Sequence, residues 1–187
     1  NQNLLYMNKS INFNSANIIN IRKDLDTKIN KYWKIIRTEN VISKKAQKAG
    51  MGSGFDLKGL YNEITQMTEK RIIIKGMLNA LNSGIKTFNY EEFKKTNNYA
   101  IFAAGEAKEA IAQLKMIPTI NPSEKANKGK KFMPKTETFT SAKIGSLLKE
   151  IQLKANKFDA DLKNFNDNTS IEITGIIADK FKFDITY

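Results

Sequence analysis

The sequence predicts a mainly α protein: an elongated antiparallel coiled-coil hairpin or small helical bundle, with a short C-terminal β-hairpin. Three observations predict it. Apolar residues recur in steps of three and four along several long stretches, the spacing of a helix that buries one narrow stripe. All three prolines fall between Ile117 and Lys135, so the rest of the chain is free to run in long helices. Beyond residue 169 the apolar period drops from seven to two, which is the period of a strand.

The cleanest stripe is Leu57, Leu60, Ile64, Met67, Arg71, Ile74, Leu78 and Leu81. Its single polar member, Arg71, has two readings. Its stem can pack while the guanidinium reaches the edge of the seam, or a buried Arg can pair with a carboxylate and fix the register of the helices. Ser53 or Asp56 caps this helix, and Asn82-Ser83-Gly84 stops it.

Ahead of it, residues 1–14 form an arm in which Leu5 and Met7, then Ile11 and Phe13, alternate with other residues. Ser15 caps a first long helix with the seam Ile18, Leu25, Ile29, Tyr32 and Ile36, flanked by Ile21 and Trp33. Trp33 is the only tryptophan and reads as a core anchor rather than a base-stacking platform. This helix fades near Ile42. Residues 43–54 are then a loop in which Lys44, Lys45 and Lys48 precede Gly50, Gly52 and Gly54. A phosphate-loop reading fails, because no Gly-Lys-Ser/Thr follows and no buried strand precedes.

After the second helix, residues 85–97 form a connection, briefly extended at 86–88. Phe88, Tyr90 and Phe93 lie among Lys86, Lys94 and Lys95. Aromatics interleaved with cations can stack bases; the preferred reading is that they plug the end of the hairpin. A third helix spans 98–117, with the seam Ala100, Ala103, Ala107, Ala110, Leu114 and Ile117, whose small residues admit a close neighbour. Glu106 and Glu109 share a face and could hold a metal between them, but no third ligand is near in sequence, so they read as a solvated face. Residues 15–117 thus make the hairpin or bundle.

Pro118 ends that helix, and residues 118–139 are a basic flexible linker. Lys125, Lys128, Lys130, Lys131 and Lys135 make it the candidate polyanion contact, against the plainer reading of an exposed tether. Thr140 or Ser141 then caps a long last helix over 140–169 that packs on the bundle. Its seam is Ile144, Leu148, Ile151, Ala155, Phe158, Leu162 and Phe165. In the tail, residues 170–187, Ile171 and Ile173 alternate, as do Phe181, Phe183, Ile185 and Tyr187, with a turn at Ala178-Asp179-Lys180. A lone hairpin is marginal in water, so it needs the N-terminal arm, a helix or another subunit beside it.

Composition narrows the chemistry. The chain has 187 residues, 41% of them hydrophobic, which suits one domain or one domain with an appendage. The net charge of +12 favours nucleic acid or an anionic surface. The cations are spread out, however, and only Arg22, Arg37 and Arg71 can give bidentate contacts. Cysteine and histidine are both absent, which removes disulfides, thiolate and imidazole chemistry and the usual zinc sites. No apolar run is long enough to cross a membrane, and no signal peptide is visible. A cytoplasmic or virion-associated setting is therefore expected. The chain begins at Asn1 rather than Met, so an N-terminal piece is expected to be missing.

In chain order, a first helix ends in the polar turn Arg37 to Asn40, a second ends in Asn and Gly at Asn79 to Gly84, and a long last helix leads into the tail Asn166 to Glu172. From Ile18 to Ile173 this layout resembles a family of small, uncharacterised bacterial and phage-borne helical proteins, some labelled septicolysin-like. The resemblance implies an elongated antiparallel helical fold without known catalysis. The toxin label implies membrane action, yet no strongly amphipathic interfacial helix is visible. The basic linker and the terminal hairpin depart from the family layout.

The expected function is a non-enzymatic structural or interaction protein that assembles through its seams and terminal strands, as a subunit of a larger bacterial or phage particle. Its partners are other proteins or copies of itself. The alternative is a basic nucleic-acid-binding accessory protein on a ribosome or a packaged genome. No catalytic, cofactor-binding or metal-ligating residue is assigned. Glu91-Glu92 is the only adjacent acidic pair, and neighbours on a helix do not converge.

Overall fold

Each long helix begins where a short polar side chain can take up free backbone N–H groups. The computed structural model describes residues 12–41, 49, 53–119, 138–170 and 172. Among them are α1 (Ser15–Glu39), α2 (Leu57–Asn82), the single turn α3 (Tyr90–Phe93), α4 (Asn97–Lys115) and α5 (Ser141–Asn168). Asn14 Oδ1 accepts from the Asn17 N–H at 2.8 Å, so the first cap lies one residue before the expected Ser15. Asp56 caps α2 through the Gly59 N–H at 2.9 Å, and Thr140 caps α5 through the Lys143 N–H at 3.1 Å. Gly84, with φ of 75°, closes α2. The Gly84 N–H donates to Leu81 at 3.0 Å and the Ile85 N–H to Ala80 at 2.9 Å, the paired bonds of a left-handed C-terminal stop.

The long helices run antiparallel to their neighbours in sequence. Trp33 meets Tyr61 while Asp26 meets Arg71, which sets α1 against α2 in opposite directions. Arg71 meets Glu106 while Lys75 lies over Phe102, which does the same for α2 and α4. Tyr99 meets Phe158 at one end of the α4–α5 pair, and Leu114 shares a cluster with Ile144 at the other. The result is a helical bundle in which α2 lies against both α1 and α4, and α5 packs along α4.

Two apolar clusters fill it. The lower cluster gathers Trp33 and Ile36 of α1, Leu57 and Ile64 of α2, Leu114 of α4 and Ile144 of α5, with Phe139 beneath Tyr61. The upper cluster is built on Ile72, Phe93 and Ala103. Trp33 is the core anchor the sequence suggested. Ile21, expected to widen the α1 seam, lies at the surface. The helix expected to fade near Ile42 ends at Glu39, and the one expected over 98–117 covers Asn97–Lys115. The turn α3 stands where a plain connection was expected. Residues 1–11 of the arm, most of the 43–54 loop and nearly all of the tail, including the expected β-hairpin, lie outside the described residues.

Candidate functional site

Arg71 occupies a seam position of α2 that the heptad spacing would give to an aliphatic residue. It is 7% exposed, and it pairs rather than snorkels. Its Nη1 donates to Asp26 of α1 at 3.0 Å. Its Nη2 donates to Glu106 and, at 2.8 Å, to Glu109, both on α4. Lys75, one turn further along α2, reaches the other oxygen of Glu106 at 2.7 Å. Burial works against the guanidinium charge. The hydrogen bonds to Glu106 and Asp26 and the charges of Glu106 and Glu109 outweigh it, and its pKa lies above the ordinary arginine value. Arg71 Nε is buried without a hydrogen-bond partner among the described residues.

The solvated-face reading of Glu106 and Glu109 is corrected here. Glu106 is 4% exposed, and both carboxylates turn to Arg71. The partner stands 35 residues earlier in the chain for Glu106 and 38 for Glu109, so no local pattern could reveal it. A buried carboxylate needs a partner this close, since an unpaired one costs several kcal/mol. The cluster joins three helices at one level and sits beside Ile72 of the upper apolar cluster.

Above it, the aromatics do plug the end of the bundle. Phe93 is buried against Phe88, Tyr99 and Phe102. A Cβ at Gly76 would come within 2.5 Å of the Phe93 ring, so α2 needs glycine there to admit it. The Tyr90 hydroxyl donates to Glu69 of α2, which raises its pKa above the usual 10.0 together with burial. Lys94 Nζ lies 4.8 Å from the Tyr90 ring centre.

At the opposite end, Asn40 is fully buried. Its Nδ2 donates to the carbonyls of Pro118 and Phe139, each at 2.9 Å, and its Oδ1 accepts from the Phe139 N–H at 2.9 Å. One amide thus staples the end of α1 to both stems of the basic linker. The sequence showed only a polar turn at this point. A buried side-chain amide with three bonds has no local signature, because all three partners come from residues 78 or 99 positions away. In sequence, the stretches 42–52 and 120–137 adjoin Val41, Thr119 and Thr138, the described residues next to this staple. Lys125, Lys128, Lys130, Lys131 and Lys135 belong to the second of these segments and lie outside the described residues.

A third feature is a groove of about 420 Å³ between α2 and α5, floored by α4. Ala103, Ala107 and Ala110 form the floor, Ile72 and Thr68 one wall, and Ile151 and Phe158 the other. The small residues that let a helix approach closely also leave this hollow where α2 and α5 diverge. Glu150 on its rim is held below the usual carboxylate range by hydrogen bonding to Lys154.

No protein-family model, curated protein or solved structure matches this chain. Among the described residues no group of three acidic side chains is placed to hold a metal ion, and no helix is long and apolar enough to cross a membrane.

Proposed function

We propose that this chain is a non-enzymatic interaction protein that assembles through coiled-coil seams and terminal segments, as a subunit of a larger bacterial or phage particle in the cytoplasm or virion. This keeps the septicolysin-like layout as a reading of architecture and leaves membrane action aside. One observation carries it: the apolar seam of α5 outruns its neighbours. Phe158 faces Tyr99, near the first turn of α4, yet α5 continues to Asn168. On that overhang Leu162 is half-buried and Phe165 is 44% exposed. An apolar stripe that continues past its partner is suited to another helix end.

Light scattering over a concentration series tests this. The expected mass rises above the 21.2 kDa of one chain. Phe165→Ser with Leu162→Ser lowers it again. A compact monomer at every concentration, with nothing retained in pull-downs from the native source, overturns the proposal.

A second reading, nucleic-acid binding, is favoured by the placement of charge. The stretches 42–52 and 120–137, which adjoin in sequence the residues that Asn40 ties together, carry eight lysines against two glutamates, half of the net charge of +12. Phosphate contacts made by these lysines release counterions, so binding to a labelled oligonucleotide weakens steeply with salt. Binding that ignores salt, or that survives neutralisation of Lys125, Lys128, Lys130, Lys131 and Lys135, rejects this reading.

A further inference from the structure

We propose that the groove between α2 and α5 is the seat of this chain's own C-terminal segment, residues 173–187. The inference goes beyond assembly and does not rest on it, since groove and guest belong to one chain.

Three observations carry it. The first is the open face. α4 contacts α2 on one side and α5 on the other, and above its alanine floor the α5 wall, Leu147, Ile151 and Phe158, is only half-buried. Such a trough has room for one more apolar element and rim groups to meet its backbone: Thr65, Thr68, Glu150 and Lys154.

The second is continuity. Leu147, Phe158 and Phe165 stand eleven and then seven residues apart, close to three and two whole helical turns, so they share the groove-side face of α5. Phe165 therefore begins, on the overhang, the same stripe that lines the groove.

The third is reach. From Phe158 to Thr169, and from Leu147 to Phe158, α5 rises about 17 Å in each case at ~1.5 Å per residue. About five extended residues cover the first distance at ~3.3 Å each, and the rest of the tail spans the groove with length to spare, once or down and back. The tail's own pattern fits the seat. Phe181, Phe183, Ile185 and Tyr187 alternate with polar residues, so one side is apolar for the alanine floor and the other polar for water.

The absence of cysteine makes a clean test available in the 187-residue chain. Ala107→Cys on the groove floor is paired with Phe183→Cys in the tail and treated with a short bismaleimide. The expected product is a cross-link within one chain, seen as a faster monomer band on a denaturing gel. Lys31→Cys on the outer face of α1, paired with Phe183→Cys, stays uncross-linked. No product above that control overturns the proposal. So does a product found only between two chains, which would place a second copy's tail in the groove and leave the assembly reading standing. Independently, the triple variant Phe181→Ser, Phe183→Ser, Ile185→Ser of the 187-residue chain should bind an apolar-surface dye several-fold more strongly than the parent, and unchanged dye binding counts against the seat.

Discussion

Along α2 the eight seam positions from Leu57 to Leu81 are all buried or half-buried, and Ile72 and Gly76, off that seam, are buried as well. Along α5 seven positions follow the same spacing, yet only Ile144 and Ala155 are buried, and the stripe ends at the exposed Phe165. The difference is one of neighbours. α2 lies between α1 and α4 and hides two faces. α5 leans on α4 alone for most of its length and joins the lower cluster only near its start. Periodicity marks where a helix can bury apolar surface; the number of neighbours decides how deep it goes.

The largest test of this contrast is Arg71→Ala. It strips the partner from a buried Glu106 and should destabilise the fold by about 3–5 kcal/mol, measured by urea unfolding. Lys75 still touches Glu106, which favours the lower end of that range. Replacing both partners, as Arg71→Met with Glu106→Leu, should recover most of the loss, because apolar pairs of similar volume can match a buried ion pair. If the double variant is as damaged as the single, the cluster does more than neutralise itself.

Next comes truncation of equivalent seam residues. Ile64→Ala in α2 should cost about 2–5 kcal/mol, whereas Phe165→Ala in α5 should stay within about 0.5 kcal/mol in dilute solution. Equal costs would mean that α5 is covered in solution. Gly76→Ala is smaller and runs against helix propensity. Alanine favours a helix interior by about 1 kcal/mol, but its Cβ would strike Phe93, and overpacking costs about 1–3 kcal/mol. A stabilised variant would show that the upper cluster yields easily.

The smallest effect is on pH dependence. The folded-state pKa of Tyr90 lies above its unfolded value of 10.0, through the hydrogen bond to Glu69 and burial. Its contribution is therefore whole below that value and is lost as pH rises through the folded one. Tyr90→Phe should flatten the fall in unfolding midpoint as pH rises above about 10. A parallel fall in both proteins would show that Tyr90 does not couple α3 to α2.

Much of this was legible in the residues. The seams of α1, α2, α4 and α5 followed from spacing, and Gly84 and the caps Asp56 and Thr140 followed from local chemistry. Arg71 stood out as polar in an apolar line, with its two readings open. What could not be read was Glu106 as its partner, or Asn40 as the staple of two distant stems. Both depend on contacts made across the bundle, and an exposed Glu or Asn carries the same local signature as a buried one.

The sequence by itself determined which stretches become helices and which face of each is apolar, because backbone capping and side-chain period act within a few residues. Tertiary structure alone decided which helices share those faces, which charges meet in the interior, and which stripe is left over. Those outcomes depend on contacts between whole elements far apart in the chain, and no pattern confined to a few residues specifies them.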